Sequence, residues 1–175
     1  MSLHSNFPTQ SLGVPLRELQ ATDNFLVICI RLWAQENAYG AAAGTGPDWR
    51  GGFKAVGLNT SAQQCFNALL GVIFSTGKPT PSVNYYACPI AGYDEHWLLA
   101  CVTFAQSESW NSLEYALRER LTACNRRLAL PLIRCFSATM LKADLHLSRS
   151  NTAFHDSRDD IRRSVSLHYV SQKLH

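Results

Sequence analysis

The sequence is short of charge: Asp, Glu, Lys and Arg make up 17% of its 175 residues, against roughly a quarter in an ordinary soluble protein. So lightly charged a surface does little to keep copies apart, and apolar area left over after folding is usually covered by a partner, so self-association is expected. No Cys-x-x-Cys occurs, which removes a common zinc and thiol-redox spacing. No G-x-S-x-G elbow occurs either, leaving hydrolase chemistry without a recognisable nucleophile. Apolar runs are short. The longest near the start, FLVICIRLWA, is broken by Arg31 and falls far below the roughly 20 residues that cross a bilayer, so no membrane association is expected. The first fifteen residues lack the apolar stretch of a secretory signal. A cytoplasmic location follows as an expectation, and with it six reduced, largely buried thiols.

The formal charge of +3 is too small to imply a polyanionic partner, although most of the 16 cations are arginines. Arg118, Arg120, Arg126, Arg127 and Arg134 lie close together in the chain. They read as a solvated helix face, because no aromatic or glycine interleaving marks a nucleic-acid module, and nucleic acid is disfavoured as a partner.

Helical periodicity is the main positive signal. Leu19, Leu26 and Trp33 fall seven apart, predicting a helix over 16–39 that ends at Gly40, although Val27, Ile28 and Ile30 leave a strand over 25–33 as the alternative. Glycines crowd residues 40–57, where neither a helix nor a long strand should persist. Further helices are predicted over 61–76, 94–106, 109–128 and 132–147. Pro131 is read as opening the last of these, since its ring would clash with the Arg127 carbonyl in a continuous helix. Residues 1–15 and 149–175 read as arms around a core domain of 16–148. The fold class expected is thus mainly α, a single domain of about five principal helices with a glycine-rich loop and extended arms. Its alternative is α+β, with a small sheet from 25–33, 83–90 and 164–170, the last showing strand-like alternation.

The stretch CPIAGYDEHWLLAC, residues 88–101, concentrates the reactive side chains. Cys88, Asp94 and His96 carry ordinary ligand chemistry for zinc or a related ion. Yet His96 and Cys101 are five apart, about 140° round a helix, and not the usual i, i+4 pair. Asp94 and Glu95 stand where first-turn carboxylates satisfy free N–H groups and favour the helix dipole. The expected reading is therefore a helix start, with His96 kept as a ligand-binding candidate together with Trp49 and Trp97. Lys142, Asp144 and His146 cluster in sequence, but residues two apart on a helix point some 200° apart. Cys124 and Cys135, eleven apart, rise about 16 Å along a helix and cannot bond, so both read as core thiols.

The sequence names no cofactor. It supports a non-enzymatic cytoplasmic binding or regulatory protein acting as a homo-oligomer, through its arms or its apolar helix faces. Two alternatives stand beside it: a small metal- or thiol-dependent enzyme built on Cys88, Asp94 and His96, and a sensor of apolar small molecules with a pocket lined by Trp33, Trp97 and Phe104.

Overall fold

The computed structural model describes residues 13–39, 47–76 and 79–151, and over these the chain is mainly helical. Six helices occur among the described residues: α1 Ala21–Tyr39, α2 Trp49–Ala55, α3 Thr60–Thr76, α4 Tyr93–Gln106, α5 Trp110–Arg118 and α6 Ala123–Lys142. Two short strands, β1 Val14–Pro15 and β2 Ile90–Ala91, pair antiparallel with Val14 opposite Ala91. A residue larger than Gly13 could not precede β1, because its Cβ would meet the Ile90 side chain and lie 2.7 Å from the Ala91 carbonyl oxygen.

α4 is the central helix. Every residue from Glu95 to Ala105 is buried, as in a helix enclosed on all sides, and it packs against α1, α5 and α6. α3 and α6 form the most extensive helix pair. Their seam is filled by Phe66 and Phe136, with ring centroids 5.3 Å apart, and Phe53 from α2 closes on both. The pattern that buries α3 is Ala62, Phe66, Leu69, Leu70 and Ile73, the i, i+3, i+4 spacing of an amphipathic helix.

Several expectations need correction. α1 begins at Ala21 and not at residue 16, because Leu16–Glu18 form a separate 3-10 turn and Leu19 is extended. The strand alternative over 25–33 is helix, and within 83–90 only Ile90 is paired, while 164–170 lies outside the described residues. Residues 49–55 of the glycine-rich region are helical. The Asp48 carboxylate accepts from the Arg50 and Gly51 amides, and burial of Trp49 and Phe53 supplies packing that outweighs the cost of two glycines.

The helix expected over 109–128 stops at Arg118, and Thr122 caps a new one. That break resets the phase. α6 buries Ala129, Ile133, Phe136 and Met140, while Leu128 and Cys124, the latter expected in the core, are turned to solvent. Pro131 lies inside α6 instead of opening a helix. Its position removes one main-chain bond, to the Arg127 carbonyl, from an otherwise continuous helix.

The expectation of six reduced thiols fails at two positions. Cys65 of α3 and Cys135 of α6 form a disulfide with a Cα–Cα distance of 6.5 Å. Spacing along one helix had set aside only Cys124 as a mate for Cys135. The true mate comes from another helix, 70 residues earlier. Cys29, Cys88, Cys101 and Cys124 remain free.

Candidate functional site

The reactive stretch before and within α4 is organised around its main chain. Glu95, the third residue of the helix, reaches back to accept from the Gly92 amide at 2.7 Å, which is half of a capping box. Its other oxygen accepts from the Asn84 amide at 3.0 Å. The same carboxylate meets Arg31 of α1 in a two-pronged pair, Nε to Oε1 at 2.6 Å and Nη2 to Oε2 at 2.8 Å, with both side chains fully buried.

The remaining guanidinium protons are also spent on main chain. Nη1 donates to the Cys88 carbonyl at 2.7 Å and the Tyr86 carbonyl at 3.5 Å, and Nη2 to the Ile90 carbonyl at 2.7 Å. Arginine's planar fork with five donors suits such a position, which the three donors of lysine could not fill. Asp94 completes the arrangement, accepting from the Ser82 amide and from Arg120 Nη2, each at 2.6 Å. Two carboxylates of one helical turn and one arginine of α1 thus clasp the extended segment 82–92.

His96 is buried one position further along α4. Two turns later on that helix, Thr103 faces a second polar tie. The Asp23 carboxylate of α1 accepts from the Ser148 amide at 3.0 Å and from Asn151 Nδ2 at 3.1 Å, and the same amide group approaches Thr103 Oγ1 at 3.5 Å. Gln106 holds this closing segment through the Leu145 carbonyl and the Leu147 amide, both at 2.9 Å. Arg31 beside Glu95 and Asp23 beside Thr103 set α1 antiparallel to α4.

Burial holds the His96 imidazole below its ordinary value of 6.5, against the raising pull of the Glu95 and Asp23 carboxylates. The neutral ring is therefore the folded form. As pH falls through about 6.5 the unfolded chain takes up this proton before the folded one does, so stability is lost in the acid direction from that point. Urea unfolding measured between about pH 7 and pH 5 is expected to show that loss, and His96→Gln is expected to flatten it. Equal pH slopes in both proteins would assign the acid limb to other groups.

The side chains of the alternative metal reading are not gathered. Cys88 enters the clasp through its carbonyl, Asp94 is bonded to Arg120, and His96 lies in the interior. Among the described residues no three His, Cys, Asp or Glu side chains stand together as a metal-holding group. The buried thiols are held in the protonated form: desolvation, aided by the Asp48 charge, pushes Cys29 up to about 12, and desolvation also raises Cys101.

Trp49 and Trp97, the other ligand-binding candidates, are core residues with satisfied indoles. Trp49 donates to Glu36 at 2.8 Å, and Trp97 to the Ala116 carbonyl at 3.1 Å. Trp33 donates to Asn67 at 2.7 Å, and Phe104 is buried. Trp33, Trp97 and Phe104 are absent from the lining of one cavity between core helices, which Leu26, Phe66, Cys101 and Phe136 help to enclose. At about 10 Å³ it has room for a water-sized body and not for an apolar ligand.

Asp144 and His146 do meet, at 3.2 Å, contrary to the helical-geometry argument. The helix has ended at Lys142, and Asp144 adopts a positive φ of 58°, so the 200° rule does not apply. Both side chains are exposed.

Sequence reasoning noted Arg31 only as an interruption of an apolar run and missed the roles of Arg31 and Asp23. The available signal was that lone arginine inside an apolar run.

No helix among the described residues is long and apolar enough to cross a membrane. Compared with protein-family models, with characterised proteins and with solved structures, the chain finds no match.

Proposed function

We propose that the protein is a non-enzymatic binding or regulatory protein that acts as a homo-oligomer. One observation carries the reading. The acidic and guanidinium groups around 82–96 are committed to main chain and to one another, whereas large side chains suited to contact, Tyr85, Tyr115 and Leu128 among them, stand at the surface. Exposed aromatic side chains are enriched in contact surfaces. The low charge of the chain adds to the tendency to associate.

A cytoplasmic setting belongs to the same proposal and has a chemical consequence. Glutathione and thioredoxin would keep the Cys65–Cys135 pair open for much of the time, making the bridge a reversible contact there.

Light scattering coupled to size exclusion tests the assembly. A mass at a multiple of 19.5 kDa that persists on dilution is the expected result. A monomer mass at every concentration sinks the homo-oligomer.

A further inference from the structure

The arginines between 118 and 134 divide into two groups. Arg120 is bonded to Asp94 and lies over the Trp97 ring, and Arg126 donates to Glu114 at 3.0 Å and to the Leu121 carbonyl at 3.0 Å. These two build the interior edge of the α4–α5–α6 packing. Arg118, Arg127 and Arg134 are exposed, and among the described residues none of them meets a carboxylate.

Arg127 and Arg134 are seven residues apart on α6, which places them on one face about 10 Å apart along the axis. Trp110 of α5 is 38% exposed and lies against Arg134, whose guanidinium carbon is 4.6 Å from the ring centroid. The stacking fixes one face of that guanidinium on the indole and leaves its edge, which carries the N–H donors, open to solvent.

We propose that this face of α5 and α6, centred on Trp110, Arg134 and Arg127, docks an acidic segment of a partner protein. The proposal rests on the binding-protein reading above and names the partner's chemistry. A guanidinium edge takes a carboxylate in two parallel hydrogen bonds. Two such edges seven residues apart match carboxylates at the same two-turn spacing on a docked helix, and the indole under Arg134 supplies the apolar contact on which such interfaces turn.

Charge selects this occupant over two others. A second copy placed here about a two-fold axis would set Arg127 and Arg134 against the same arginines, a like-charge contact that costs affinity. Nucleic-acid affinity is dominated by many phosphate contacts, for which a few exposed guanidinium groups on a chain of net charge +3 offer little.

The test uses the full chain and two labelled probes: a synthetic alanine-rich helical peptide with glutamates at two-turn spacing, and a single-stranded oligothymidylate. Fluorescence anisotropy is expected to show saturable peptide binding that weakens with added salt. Arg127→Ala with Arg134→Ala is expected to weaken it roughly tenfold, the loss of two exposed charge-assisted pairs. Circular dichroism checks that the variant is folded, which the exposure of both side chains favours.

Equal binding by wild type and variant overturns the proposal, as does absence of binding. Tighter binding of the oligothymidylate, lost in the same variant, also overturns it and gives the face to nucleic acid. Light scattering on the same samples separates this from the homo-oligomer. A monomer that binds the peptide sinks only the self-association, and an oligomer that ignores it sinks only the acidic partner.

Discussion

Replacing Arg31 with methionine is expected to cost about 3–5 kcal/mol of folding free energy, the range for breaking a buried ion pair from one side. The magnitude follows from what is left behind. Glu95 would keep a charge in a site where its side chain has no exposure, and the Cys88 and Ile90 carbonyls would each lose a donor at 2.7 Å. Arg31→Met with Glu95→Leu removes the stranded charge and should regain part of the loss, since an apolar pair of similar volume often replaces a buried ion pair without penalty. It should not regain all of it, because the Asn84 and Gly92 amides would then lack their acceptor. Urea denaturation of the three proteins measures both steps. Full recovery in the double variant would mean that the main-chain bonds of the clasp contribute nothing net.

Opening the Cys65–Cys135 bridge is expected to cost about 4 kcal/mol, from the chain entropy released when a loop of this length is no longer closed in the unfolded state. The two residues are 70 apart in sequence, so the bridge restrains much of the unfolded chain. Cys65→Ser with Cys135→Ser, compared with wild type in the absence of reductant, gives the difference directly. With reductant present the two proteins should converge. A thiol titration of denatured, unreduced protein should count four thiols, from Cys29, Cys88, Cys101 and Cys124. A count of six would show that the bridge does not form.

Local signals were the legible part of this fold. α4 spans Tyr93–Gln106, close to the 94–106 expected, because its acidic first turn and its apolar run are written in consecutive residues. The capping role of Glu95 was equally readable, since the acceptor and the Gly92 amide lie three positions apart. What the same carboxylate does for α1 was not. Its partner is 64 residues away, and a lone arginine in an apolar run carries no mark of which acid it will meet.

Phase was lost for a different reason. Leu113, Leu117, Leu121, Cys124 and Leu128 keep helical spacing across 119–122, so periodicity alone could not see that Thr122 begins a new helix with a rotated face. The disulfide escaped because spacing within one helix excludes a pair but never proposes one from another helix. Of the site, sequence placed His96 on the helix where it stands, but its burial there follows from the neighbouring helices and not from α4 alone.

The two polar ties of α1 bear on how the chain is made. Asp23 finds its acceptor role at Ser148 and Asn151, and Arg31 at Glu95. During synthesis, the first long helix therefore emerges with an acid and a guanidinium whose partners are still untranslated, beside Leu26, Val27 and Ile30, which end in the core. It can pack early on α2 and α3, but both polar ties wait for residues 95 and 148–151 to leave the ribosome. In that interval the face that will meet α4 is open to chaperones and to aggregation.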